Sequence, residues 1–340
     1  MINYRNDSRI ILTLDTGGTN MVFGAMQRGE FIVEPLILDA HADNLEKCLA
    51  TMVEGFGTIM EQLGERPSAI SFAFPGPADY PNGIINGPLL NFPSFREPVA
   101  LGPYLKKKFS MPVYINNDGD LFAYGESLGG ITPEINEMLD ESGNRKRYRN
   151  LLGSTLGTGF GVGVIVNGQM NRGDNSCIEM FAMPYRNRPG VFAEEGVSIR
   201  AVKRMYGELS GNPEHGLDPK DIFEVAEGVR EGDVAAARGA FEHLGEILGD
   251  TIATTVSIID GLVVIGGGLA GAYKYIKPAM FATLRSKMHR ITGEPVDKIA
   301  SKVYDLDDPE ELMMFIRGGQ ESVRIYNSEI EVTYDPQKRI

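Results

Sequence analysis

Asp15-Thr16-Gly17-Gly18-Thr19 closes a short apolar run at residues 10–14, and a second run follows at residues 21–26. The runs read as buried strands joined in a hairpin by a sharp turn. Glycines there allow positive φ and let backbone N–H groups approach a phosphate with no Cβ in the way. Asp15, beside the turn, is placed to hold magnesium through water, although a plain hairpin turn is the bland alternative. Gly157-Thr158-Gly159-Phe160-Gly161 repeats the chemistry, and two such loops can grip one polyphosphate from both sides. Asn116-Asn117-Asp118 follows another strand, at residues 112–115. A carboxylate there can take the proton of an attacking hydroxyl while the amides hold neighbouring hydroxyls. Helix capping, which Asn and Asp favour, is the competing reading. Gly266-Gly267-Gly268-Leu269-Ala270-Gly271 fits G-x-G-x-x-G after a strand. A dinucleotide site needs an acidic residue about 20 positions on. Residues 285–290 offer none, so a turn against which adenosine lies flat fits better.

The elements that position these groups alternate between strand and helix. Residues 44–63 have helical spacing with Gly64 as a stop, residues 69–74 form a strand broken by Pro75-Gly76-Pro77, and residues 102–109 and 119–128 read as helices. The second half opens as the first does, with strands at 151–156 and 162–166 about the second glycine turn; residues 218–259 are mainly helical and 262–265 form a buried strand. This predicts an α/β fold. Two similar hairpins about 140 residues apart point to a duplicated fold whose halves face each other across a cleft. Residues 132–149 read as a polar surface excursion, and residues 329–340 as a strand with a polar end.

The 340 residues suffice for two domains. A formal net charge of −13 disfavours nucleic acid as a partner; the basic stretch at residues 144–149 reads as a solvated loop. Two cysteines, Cys48 and Cys177, make no disulfide framework or cysteine-rich zinc site and suit a reducing cytoplasm. The polar start at residues 1–9 leaves no room for a signal peptide, and no apolar run nears the roughly 18 residues of a membrane helix. A P-loop and a serine-hydrolase elbow are both absent, and the four scattered histidines form no metal spacing with cysteine.

In this order and spacing, the motifs resemble the ROK family of sugar kinases and related repressors, within the actin-like ATPases. They are Leu14 to Thr19, Phe74-Pro75-Gly76-Pro77, Asn117-Asp118-Gly119 with Gly125-Glu126, Leu156 to Gly161, and Val264 to Gly268. The resemblance implies a two-domain actin-like (ribonuclease H-like) fold, residues 1–116 forming the smaller domain and 117–340 the larger. It implies ATP-dependent phosphorylation of a hexose or amino sugar, glucokinase- or fructokinase-like, by a cytoplasmic homodimer without nucleic-acid or membrane partners. Asp118 resembles the catalytic base, and Asp15 the residue near Mg2+. Gly17, Gly18 and Thr19 resemble the first phosphate loop, Gly157, Thr158 and Gly159 the second, and Gly266, Gly267 and Gly268 the nucleotide turn. Gly76, Asn91, Asn117, Glu179 and Glu194 resemble sugar contacts.

Three features depart from the family. Glu179-Met180-Phe181-Ala182 has alanine at the family's zinc-binding histidine, and the cysteine cluster is missing too, so no structural zinc is expected. Residues 132–149 are longer than usual, and the closing Gly/Ala-rich helix is not recognisable after Gly319. Repressor members carry a helix-turn-helix domain ahead of the kinase fold; with the first loop starting at Asp15, none is expected. The alternative function is a non-catalytic sugar-binding or regulatory protein of the same fold.

Overall fold

Leu12 and Leu14 alternate with more accessible neighbours along one strand, while Met21, Phe23 and Ala25 are buried on the next. That alternation sets the first sheet. The computed structural model describes residues 6–76, 78–87, 89, 91–319 and 321–340. The expected polar start therefore lies partly, and Pro77 wholly, outside the described residues. Two compact units result: residues up to Leu121 with Arg172–Cys177, and Phe122–Asn171 with Ile178–Ile340.

In the first unit β1 (Ile11–Thr16) and β2 (Asn20–Gln27) form an antiparallel hairpin, followed by β3 (Glu30–Phe31), β4 (Leu36–Asp39) and α1 (Leu45–Gln62). Then come β5 (Ala69–Ala73), the small pair β6 (Ala78–Asp79) and β7 (Ile84–Ile85), α2 (Leu101–Phe109), β8 (Val113–Asn116) and the start of α3 (Asp118–Leu128). The sheet order is β3-β2-β1-β5-β8, with β4 against β2; β1, β5 and β8 are mutually parallel. Asn44 caps α1, its side chain accepting from the Lys47 N–H at 3.1 Å. The core beneath is aromatic: Phe56 meets Phe23 edge-on at 5.2 Å and Phe72 at 6.1 Å.

The second unit repeats the hairpin with β9 (Leu151–Leu156) and β10 (Phe160–Val166), adds β11 (Gln169–Met170) and places β12 (Leu262–Gly266) parallel to β9, in the order β11-β10-β9-β12. Helices α4 (Ile131–Glu141), α5 (Ile199–Ser210), α6 (Pro219–Ala226), α7 (Val234–Ile259) and α8 (Tyr273–Leu284) surround it. The chain ends in the pair β13 (Lys287–His289) and β14 (Pro295–Asp297), then α9 (Pro309–Arg317), then the pair β15 (Glu321–Arg324) and β16 (Glu331–Tyr334).

Residues 132–149 are not a solvated excursion. Thr132, Ile135, Asn136, Leu139, Asn144 and Tyr148 are buried. The Asn136 amide exchanges two 2.8 Å hydrogen bonds with the backbone of Tyr148, and the Asn144 amide donates to the Ile316 carbonyl at 3.0 Å. Polar residues mislead here because buried backbone must find partners, and asparagine supplies them. In the basic loop Arg145, Arg147 and Arg149 are exposed, as expected of a solvated loop, while Arg147 also pairs with Asp140 and Lys146 lies over the Tyr148 ring. Nor is the C-terminus simply polar. Arg339 is buried, and the tail bonds back through Tyr304 N–H to the Ile340 carbonyl at 2.9 Å. A helix, α9, does occur before Gly319, while a β-hairpin follows it.

Candidate active site

Strands β1, β5 and β8 lie side by side and run the same way, so the segments leaving their carboxyl ends are neighbours. Ligands of open α/β sheets bind at such ends. The Thr16 hydroxyl donates to the Ala73 carbonyl at 2.8 Å, and the Phe74 N–H donates to the Asn116 carbonyl at 2.9 Å. These bonds tie together the three segments that carry Asp15 to Thr19, Phe74 to Gly76, and Asn117-Asp118.

Neither Gly17 nor Gly18 takes the expected positive φ, and the same holds for Gly157 and Gly159. Close approach is the reason for glycine instead. A Cβ on Gly17 would lie 2.9 Å from the Asn20 carbonyl oxygen, and one on Gly18 would lie 3.0 Å from that of Asn91. The first loop therefore rests on Asn91. Asn91 is held by its neighbours: Phe74 packs against Phe92 at 4.8 Å and Phe95 at 5.1 Å. Gly76 leaves room for Tyr80, whose hydroxyl donates to the Phe74 carbonyl at 3.0 Å.

Asn117 caps α3: its side-chain oxygen accepts from the Gly119 N–H at 2.8 Å and its carbonyl from Leu121 at 3.0 Å. Asp118 follows, exposed, with one oxygen 2.9 Å from the same Gly119 N–H. The capping reading is thus realised by Asn117, which leaves its amide N–H2 for a ligand, and the second oxygen of Asp118 has no hydrogen bond among the described residues. Asp15 and Thr19 are exposed as well. Water-mediated magnesium needs only one or two carboxylates besides phosphate, and the exposed Asp15 fits that need.

Two residues beside this group escaped the sequence reading. Arg172 packs in the first unit and donates to the Asn116 side chain at 2.7 Å. Asp120 is 8% exposed. Burial pushes its carboxyl up to about 6, Arg172 opposing and Asp118 adding to the rise. Perturbed carboxylates of this kind cluster at functional sites. Nothing in the spacing marks Arg172, because a chain excursion rather than periodicity brings it there.

The second unit gathers the remaining residues. Gly157 N–H donates to the Gly159 carbonyl at 3.1 Å and closes the turn. Glu194 braces it: one oxygen accepts from the Phe160 N–H at 3.0 Å, the other from Arg200 at 2.8 Å, and a Cβ on Gly159 would lie 3.0 Å from the first. Arg200 reaches the Thr158 carbonyl at 3.4 Å and, with Arg204, holds the Glu195 carboxyl below its usual range. Gly267 takes φ +90°, and a Cβ there would lie 2.4 Å from the Leu156 carbonyl oxygen. The turn at residues 266–268 thereby abuts the strand end that leads into the second glycine loop. Gly268 has open space where a side chain would be, whereas Gly266 faces Phe122. Glu179 and Ala182 are exposed. A largely apolar cavity of about 480 Å3 beside β12 is lined by none of the expected phosphate or sugar residues. Among the described residues no group of three or more His, Cys, Asp or Glu could hold a metal ion, and no helix is long and apolar enough to cross a membrane.

A match to the ROK family spans residues 11–305. The chain belongs to the ROK family. It is 26% identical over 305 residues to a glucokinase from Thermotoga maritima, covering 82% of this chain and 86% of that one. It is 25% identical over 299 residues to an N-acetylgalactosamine kinase from Shewanella sp., covering 82% and 87%. A solved glucokinase structure from Parabacteroides distasonis is 52% identical, with a TM-score of 0.88, over all of this chain and 93% of that one. The architecture of this ROK protein is the actin-like α/β fold.

Proposed function

We propose that this ROK protein transfers the terminal phosphoryl group of ATP to a hydroxyl of a hexose or amino sugar. One observation carries the reading: the carboxyl ends of three adjacent parallel strands bear Asp15 to Gly18, Phe74 to Gly76, and an exposed Asp118. Kinship with proteins named glucokinase and N-acetylgalactosamine kinase supports it. Asp118 accepts the proton of the attacking hydroxyl, which makes the oxygen a better nucleophile for in-line transfer. Asn91 and the Asn117 amide orient the sugar, with the backbone at Gly76 and the Glu179 carboxylate as further contacts. In the first loop Gly18 and Thr19 offer backbone N–H groups to phosphate while the Gly17 N–H closes the turn on Asn20. In the second, Thr158 and Gly159 do so while the Gly157 N–H closes the turn, and Gly266, Gly267 and Gly268 give a flat turn for adenosine. Glu194 is assigned to bracing the second loop, since both its oxygens are engaged there. Asp15 would hold, through water, a magnesium ion bound with the nucleotide, which would supply charge neutralisation there.

A homodimer and a cytoplasmic setting belong to the same reading. The net charge of −13 is consistent with a small substrate rather than nucleic acid. The test is ADP release from ATP and magnesium across a panel of hexoses and amino sugars. Release dependent on one sugar supports the kinase. Sugar-dependent thermal stabilisation with no ADP from any sugar would instead favour a binding protein.

A further inference from the structure

Arg172 opens the segment Arg172–Cys177, which packs within the first unit although the residues on either side of it belong to the second. Up to residue 171 the chain follows the second sheet, the Asn171 N–H donating to the Val164 carbonyl at 2.7 Å. One residue later it brings a guanidinium to the end of β8. Ordering an arginine side chain carries an entropy cost, which a bonding role at that end offsets.

Nη1 of Arg172 donates to the Asn116 side-chain oxygen at 2.7 Å. Asn116 is the last residue of β8, and its carbonyl accepts from the Phe74 N–H at 2.9 Å. The strand end is therefore held through both backbone and side chain. Asp118 comes two positions on. It is exposed, and its bond to the Gly119 N–H stays within the start of α3. The aim of its carboxylate thus depends on how firmly the backbone just before it is held. Charge enters as well. Asp120, buried two positions further on, has Arg172 and Asp118 as the charged groups that act on it. Once Asp120 ionises, above about pH 6, it repels Asp118, and Arg172 is the cation that opposes this.

We propose that Arg172 is the positioning residue of Asp118, holding the end of β8 through Asn116 and offsetting the charge of Asp120 beside it. The proposal rests on the kinase reading for what Asp118 does, and on the geometry alone for how it is held. The two parts of the role use different properties of the side chain, the directional N–H for the amide and the positive charge for Asp120. Lysine supplies charge without the planar fork, so the two parts are separable.

Steady-state ADP release and carboxyl carbon-13 resonance test this together. Arg172→Met should lower kcat at least about 10-fold, since a slightly misplaced catalytic group is costly, with KM for ATP and sugar changed by less than about threefold. Asn116→Ala removes the acceptor and should lower kcat too. The double variant should lose less than the product of the two single losses, because both break one link. In the resonance measurement, Asp118→Asn and Asp120→Asn assign the two carboxyl signals. Arg172→Met should move the Asp118 signal and raise the pH at which Asp120 titrates above about 6, since the guanidinium favours the ionised form. Arg172→Lys, the milder variant, should return that titration to its wild-type position and recover part of kcat. Turnover of Arg172→Met within about twofold of the wild type would overturn the proposal. So would a loss shared equally by kcat and KM that lysine does not relieve. A wild type that releases no ADP with any sugar would sink the kinase reading. The carboxyl signals would still decide the positioning role, which unmoved signals in Arg172→Met would overturn and moved ones sustain.

Discussion

At Asp120 a carboxylate is buried in the first turn of α3 and its proton affinity is raised to about 6 by that burial. Its folded value lies above the unfolded one, so ionising it opposes folding. That cost is present in full above about pH 6 and vanishes as pH falls toward 4. Asp120→Asn should therefore raise stability by about 1–3 kcal/mol at neutral pH and change nothing near pH 4, read from melting midpoints at both. A gain of equal size at both pH values would contradict the account. A group that costs stability beside Asp118 and Arg172 fits a site where function outranks stability. Gly267 makes the opposite case, because its glycine is demanded by φ +90° and by the Leu156 carbonyl. Gly267→Ala should lower stability by about 2 kcal/mol or more, measured by the urea midpoint.

Among the elements, the two glycine hairpins and their strands were readable because short apolar runs ended by Gly/Thr turns leave one local solution. Residues 151–156 coincide with β9, and α1 begins at the capping Asn44 that the composition signals. What was not readable depends on distant partners. The buried Asn136, Asn144 and Tyr148 look like loop residues until Ile316 and Arg339 are brought to them. Positive φ at Gly17 and Gly18 was expected from turn chemistry, whereas crowding by Asn20 and Asn91 is the constraint. Asp118 was singled out by its motif and stands exposed at the end of β8, whereas Arg172 and the bracing of the second loop by Glu194 were not legible, since each acts across the fold. The C-terminal anchor yields its own prediction. Arg339 is buried with Asp335 as its carboxylate partner, and its Nε and Nη2 have no hydrogen-bond acceptor among the described residues. Asp335→Asn strands that charge and should cost about 3 kcal/mol. Arg339→Met removes the buried charge and should cost less, the two being compared in urea denaturation.

For the whole molecule, the sheet orders β3-β2-β1-β5-β8 and β11-β10-β9-β12 place a glycine hairpin and a parallel neighbour in each unit. Asp15, Asp118 and Asp120 lie in the first unit, and Gly157 to Gly159 with Gly266 to Gly268 in the second. The claim on which the functional account turns is that Asp118 takes the sugar's proton. The direct measurement is steady-state ADP release by Asp118→Asn beside the wild type, with sugar affinity followed separately by calorimetry. The account predicts a loss in kcat of at least about 100-fold, the scale of a general base, with sugar affinity changed by less than about fivefold. Turnover within about twofold of the wild type would contradict it.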